Sequence, residues 1–191
     1  MNKLNNLWTL WLHLPYDIDW SINSYKKVYS FDTLEDCILL IENLNKEIVE
    51  KCMLFIMKNN IKPIWEDNEN SKGGSLSYKI SIDNVYNVWK CLNYSLIGRT
   101  LIDNITFLEN INGISISPKK NFCIIKFWIK NSNILKQSKF FNNENNENNE
   151  NNETNETNEN NENNNYDPFD IHVICNIEKQ YCLFKQHEIL Y

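Results

Sequence analysis

Residues 113–130 read GISISPKKNFCIIKFWIK, two runs of alternating apolar and polar side chains joined by Pro-Lys-Lys-Asn. Alternation at period two with a turn-forming insert predicts a β-hairpin. On its second strand, parity sets Cys123, Ile125, Phe127 and Ile129 on one face and Phe122, Ile124, Lys126 and Trp128 on the other. The first face suits a core. The second mixes Trp with Lys and is a candidate ligand surface.

Upstream, residues 65–74 (WEDNENSKGG) form a long polar loop, expected to be exposed, between a short strand starting at Met53 and a strand whose Leu76, Tyr78, Ile80 and Ile82 share a face. Asp83 is placed to cap a helix with an inward stripe of Val85, Val88, Trp89, Leu92 and Leu96, ending near Gly98. Residues 7–14 (LWTLWLHL) alternate as a strand, with Trp8, Leu10, Leu12 and Leu14 opposite Leu7, Thr9, Trp11 and His13. In residues 25–53, Leu34, Cys37, Ile38, Ile41, Leu44 and Ile48 follow helical spacing, with Asp32 and Glu35 as a capping pair. Phe140 and Phe141 are candidates to close a third helix. Residues 169–176 (FDIHVICN) and 180–190 (QYCLFKQHEIL) read as two closing strands. The order β, α, β, β, α, β, β, loop, β, β predicts an α+β fold, a mostly antiparallel sheet with helices on one face.

The 191 residues carry a formal net charge of -6. Seven Glu and no cation fall in residues 142–165, an Asn/Glu repeat, so the other 167 residues stand at +1. Asn is a poor helix former and the repeat has no apolar surface to offset ordering, so it is expected to be a disordered insertion in one domain spanning 1–191. As functional alternative to a spacer, it could act as an acidic arm against non-target nucleic acid. No apolar run approaches the roughly 20 residues of a membrane span, and the first residues lack a signal-peptide pattern. A cytoplasmic monomer is expected. Six scattered Cys with no C-x-x-C pair, and isolated His13, His172 and His187, predict no disulfide framework, metal site or cofactor.

The candidate chemistry lies in aromatics set among polar residues. Trp20 (in DIDWSINS) and Trp65 (in KPIWEDNE) are loop indoles, which either pack over a core edge or stack a flat ligand. Glu66 follows Trp65 directly, so a hydrogen-bond acceptor sits beside an aromatic plate and suits a flat, cationic, donor-bearing ligand. Lys119 and Lys120 at the hairpin turn either meet phosphates or are solvated. A carbohydrate-active enzyme using Glu66 and Asp67 needs two flanking acids. Adjacent residues on one loop supply these poorly. A generic single-strand RNA binder needs a broad basic groove, which the near-neutral charge disfavours.

Trp8-x-x-Trp11, Trp20, FDTLED at 31–36, LFIMKNNIKPIWED ending at Asp67, KGG, Trp89 with SLIG at 95–98, and the hairpin ending at Trp128 together resemble eukaryotic translation initiation factor 4E, the messenger-RNA cap-binding family. The resemblance covers about Leu4 to Lys130. It implies a cupped, curved sheet with about three helices on its convex back. It further implies a non-enzymatic function in translation initiation, binding the 7-methylguanosine cap. Trp20 and Trp65 match the two indoles that sandwich the methylated base, Glu66 the acid that accepts from it, and Trp128 the indole against the methyl group. Lys119 matches the phosphate-binding Arg, with Lys120 beside it, while Ile124 and Ser75 stand where the family has further cations. On the back, the resemblance implies docking of a 4G-like scaffold or a 4E-binding protein. There Leu34 and Ile38 replace Val and Trp, and Lys90 and Tyr94 replace Leu. The alternative is a cap-binding repressor or decoy that does not recruit the usual scaffold.

Overall fold

A computed structural model describes residues 1–136, 168–178 and 182–187. The Asn/Glu insertion at 142–165 and the expected helix end at Phe140 and Phe141 lie outside the described residues. The elements are β1 (Lys3–His13), β2 (Lys26–Thr33), α1 (Leu34–Asn43), α2 (Lys46–Lys51), β3 (Met53–Lys58), β4 (Gly74–Ser81), α3 (Ile82–Ile97), α4 (Ile105–Glu109), β5 (Ile111–Pro118), β6 (Phe122–Ile129), α5 (Asn133–Lys136), α6 (Ile171–Ile174) and β7 (Cys182–Gln186). They form a curved seven-stranded sheet in the order β2-β1-β3-β5-β6-β4-β7. Every neighbouring pair is antiparallel. The α+β expectation holds, and the hairpin is β5 and β6. Among the described residues, no helix is long and apolar enough to cross a membrane.

Strand parity gives the sheet two apolar faces. Trp8 and Leu10 of β1, Leu54 and Ile56 of β3, and Cys123, Ile125, Phe127 and Ile129 of β6 join the larger core with Val85, Val88, Trp89, Leu92 and Leu96 of α3. Each residue of that predicted α3 stripe is buried. The opposite parity builds a smaller cluster of Phe55, Met57, Ile61 and Trp128, edged by Trp11, Tyr25, Met53 and Trp65. Helices cover the first face and loops cover the second.

Several sequence expectations are corrected. Residues 26–33 form the edge strand β2, where helical spacing alone was expected to rule; Phe31 and Thr33 are buried while Lys26, Lys27 and Val28 face out. The cap of α1 is Thr33, whose Oγ1 accepts from the Asp36 N–H at 3.2 Å. Asp32 instead pairs with Lys3 at 2.7 Å, and Glu35 accepts from the Asn2 N–H. The expected single helix breaks at Leu44, and Asn45 caps a separate α2 by accepting from the Glu47 N–H at 2.7 Å. Ile82 opens α3 rather than ending β4, with Asp83 in its first turn. Residues 171–174 are helical rather than a strand, and α4 was not foreseen. Both are short segments whose apolar residues fit either period, so contacts with the sheet decide between them.

Candidate functional site

One cavity of about 310 Å³ opens on the loop-covered face, lined among others by Trp20, Tyr25, Phe55, Trp65, Glu66, Lys126 and Trp128. Three widely separated indoles are therefore brought together. Trp128 belongs to β6, whose alternation turns it into the smaller cluster; it is 4% exposed, and its Nε1–H donates to Ser115 Oγ at 3.0 Å. That bond locks the ring against Phe55, which meets it edge-on at 6.2 Å.

Trp20 stands on the loop after β1. Asp19 shapes this loop by accepting from the Ser21 N–H at 2.8 Å and the Ser21 hydroxyl at 2.9 Å. Those bonds favour its anion and hold its carboxyl below the ordinary range. The Trp20 ring, 57% exposed, stacks on buried His13 at 4.5 Å and 5°. His13 Nε2–H in turn donates to the Asp19 carbonyl at 2.9 Å.

Trp65 and Glu66 ride on the loop between β3 and β4. Residues 65–74 were expected to be exposed, yet Asn70 and Gly73 are buried. Asn70 explains the order: its amide donates to the carbonyls of Lys62 and Ile64 at 2.9 Å each, flanking the turn that presents Trp65. Asn112 donates to Asn70 Oδ1 at 3.0 Å, tying the loop to β5. Asp67 accepts from the Lys62 and Glu69 N–H groups, so its carboxylate works as loop scaffolding beside the free-facing Glu66. Gly73 closes the loop where a Cβ would sit 1.7 Å from the Ile129 carbonyl oxygen. No other residue fits there.

The isolated histidines become neighbours of the indoles. His187, just after β7, stacks on Trp65 at 5.3 Å and 14° and tilts against Trp128 at the same distance. Its Nδ1 lies 2.8 Å from the Asn70 carbonyl, which only accepts, so Nδ1 carries the hydrogen. Nε2 is then a bare, buried acceptor with no partner among the described residues. Burial pushes the imidazole pKa down. Tyr25, partly buried and near the Glu66 carboxylate, is pushed up to about 12. Both rings stay neutral at pH 7.

Lys119 and Lys120 are exposed at the β5–β6 turn, outside the cavity lining. Lys126, on the cavity wall itself, was visible on the mixed face but carried by no motif. Lys185 of β7 places its Nζ 5.2 Å from the Trp65 ring centre. Tyr25, Asn70, His187, Lys126 and Lys185 all join the site through tertiary placement, which spacing in one sequence does not reveal.

On the helical face, Leu34 and Ile38 are partly exposed at 40% and 45%. Lys90 and Tyr94 are engaged within the chain: Glu42 of α1 accepts from Lys90 Nζ at 2.5 Å and from the Tyr94 hydroxyl at 2.6 Å. This clasp spans α1 and α3 across the area that the sequence assigned to a docking partner.

A family model described as eukaryotic initiation factor 4E matches residues 3–168. The initiation factor 4E homolog of Acanthamoeba polyphaga mimivirus is 28% identical over 136 residues, 60% of this chain and 50% of that protein. Initiation factor 4E of Saccharomyces cerevisiae is 28% identical over 139 residues, 69% of this chain and 63% of that protein. The chain thus spans about half to two thirds of these relatives. Among solved structures, Ascaris suum eIF4E-3 with m7G cap superposes with a TM-score of 0.61 at 26% identity, covering 69% of this chain and 74% of that one. Schistosome eIF4E complexed with m7GpppG and 4E-BP gives 0.63 at 25%, covering 71% and 75%. The family is one of translation initiation factors rather than enzymes. By the match along residues 3–168 and the shared sheet architecture, the chain belongs to the eukaryotic initiation factor 4E family, as a divergent member.

Proposed function

We propose that this protein binds the 7-methylguanosine cap of messenger RNA in translation initiation, holding the methylated base between Trp20 and Trp65. The observation that carries this reading is one cavity lined by Trp20, Trp65, Glu66 and Trp128. Methylation at N7 gives guanine a positive charge. Stacking worth about 1–3 kcal/mol per base gains a cation–π contribution of up to about 2 kcal/mol when water is excluded. Glu66 accepts from the ring N–H and the exocyclic amine, the edge that distinguishes guanine from adenine. Trp128, pinned by Ser115, is the wall for the methyl group. Lys119 and Lys120, on the β5–β6 turn, take the phosphates. The chain works as a single domain without a cofactor.

Tryptophan fluorescence titration tests this reading. Saturable quenching by 7-methyl-GTP, at least tenfold weaker with GTP and lost in Trp65→Ala, is the expected outcome; equal affinities for the two nucleotides would sink it. A second reading, a cap-binding repressor that does not recruit the usual scaffold, is favoured by the Glu42 clasp over Lys90 and Tyr94 and by Ile38 in place of an aromatic anchor. Titration with the helical docking peptide of a 4G-like scaffold separates the two: tight binding supports the initiation role, and its absence supports the repressor.

A further inference from the structure

Strand register places a second set of cations on the cavity face, at positions to which the family resemblance assigns no role. Lys126 of β6 lies opposite Ser115 of β5 and Ser77 of β4. Lys185 of β7 lies opposite Ser75, which itself lies opposite Trp128. Lys126, Lys185, Ser75 and Ser77 therefore share the face that carries Trp128. In the register the two serines, Ser77 partly buried and Ser75 buried, lie as short hydroxyl donors between the two long cations.

The state of Lys126 shows what this set lacks. It lines the cavity and is partly buried, and among the described residues no carboxylate lies within ion-pair distance of it. Burial, reinforced by the positive charges of Lys119 and Lys185, pushes its pKa down. A solvated surface lysine would show neither effect. A partly desolvated cation facing two others is relieved by an anion placed among them. Lys185, extended over the Trp65 ring, stands where that anion would leave the stacked base.

Building on the cap-binding reading, we propose that Lys126 and Lys185, with Ser75 and Ser77, form an anion subsite for the phosphodiester chain that follows the capped nucleotide. The RNA body then crosses β4 toward β7, while Lys119, exposed at the β5–β6 turn outside the cavity lining, serves the cap phosphates. This subsite supplies, at shifted positions, the charge that Ile124 and Ser75 withhold.

The test uses the full chain as wild type, Lys126→Gln, Lys185→Gln, the double variant, and Lys46→Gln as a remote control. Ligands are 7-methylguanosine, a capped oligoribonucleotide, and the same oligoribonucleotide with a plain 5′-triphosphate. The double variant should lose about tenfold for the capped oligonucleotide and under about twofold for the nucleoside, and its salt slope between about 50 and 200 mM should fall by about 1 to 2. Lys126→Arg should restore affinity, which separates loss of charge from loss of fold. Unchanged affinity for the capped oligonucleotide, or an equal loss for the nucleoside, overturns the subsite. If wild type shows no preference for the methylated base, the cap reading fails on its own. The triphosphate oligonucleotide then decides the subsite: a tenfold difference between wild type and double variant upholds it, and equal binding overturns it.

Discussion

Lys58 shows how far a single residue can depart from its type. It ends β3 at 6% exposure, with its Nζ 3.2 Å from the Leu108 carbonyl and 5.7 Å from the Trp8 ring centre. Burial lowers its pKa from 10.5 to about 8. A folded pKa below the unfolded one means that the folded state binds fewer protons between those values. Stability therefore rises with pH across that window, and the cost of about 3 kcal/mol is fully present below pH 8. Lys58→Met should stabilise the protein at pH 7 by about 1–3 kcal/mol, allowing for the lost hydrogen bond. Urea melts at pH 7 and pH 10 check this: the gain should shrink at the higher pH, and an equal gain at both would assign it to packing. At the same scale, Trp20, Trp65, Glu66 and Trp128 were legible because their chemistry is uncommon where it stands. Lys58 was not, and Lys126 was legible only as a member of the mixed face, because a lysine in a strand gives no sign of its burial until neighbouring strands are in place.

At the scale of elements, legibility followed pattern length. The sixteen-residue α3 and the β5–β6 hairpin carry several periods each, and their predicted faces match the buried ones. The edge strand β2 buries only Phe31 and Thr33, so its alternation is faint, and the helical pattern after it masks it. Four-residue α6 carries barely one helical turn. The loop carrying Trp65 is the sharper case, since its order comes from one buried polar residue rather than from any apolar pattern. Asn70 holds the Lys62 and Ile64 carbonyls and receives Asn112. Asn70→Ala removes three hydrogen bonds, each worth about 0.5–1.5 kcal/mol net; the Lys62 carbonyl loses its side-chain partner, while the Ile64 carbonyl keeps the Asp67 N–H at 3.4 Å and the Asn112 amide keeps the Glu69 carbonyl at 2.6 Å. The expected result is a loss of about 2–4 kcal/mol in denaturant melts, after partial rehydration. Cap-analogue affinity should fall at least tenfold, as Trp65 and Glu66 lose their presentation. Loss of stability with unchanged cap affinity would show that the Trp65 turn holds its shape without Asn70.

At the scale of the whole molecule, one sheet separates two surfaces. The loop-covered face carries the cavity with Trp128 and Lys126, and the helix-covered face carries Leu34, Ile38 and the Glu42 clasp. The residues of the two faces alternate along the same strands, so the sheet backbone lies between their side chains. Substitutions on one face should therefore add independently to those on the other. Ile38 is 45% exposed on α1, within a partly apolar surface that includes Leu34 and Leu39. A flat, rigid indole there would supply the aromatic anchor around which such interfaces concentrate their energy. Ile38→Trp should raise affinity for a helical 4E-binding peptide by about tenfold, corresponding to about 1.4 kcal/mol. Its affinity for 7-methyl-GTP should stay within about twofold of wild type, measured by calorimetry so that the added indole does not disturb the signal. A parallel change in cap affinity would show that the sheet transmits strain between its faces. No gain in peptide affinity would place the barrier in the clasp, and Glu42→Ala in the same background should then release Lys90 and Tyr94 and recover it.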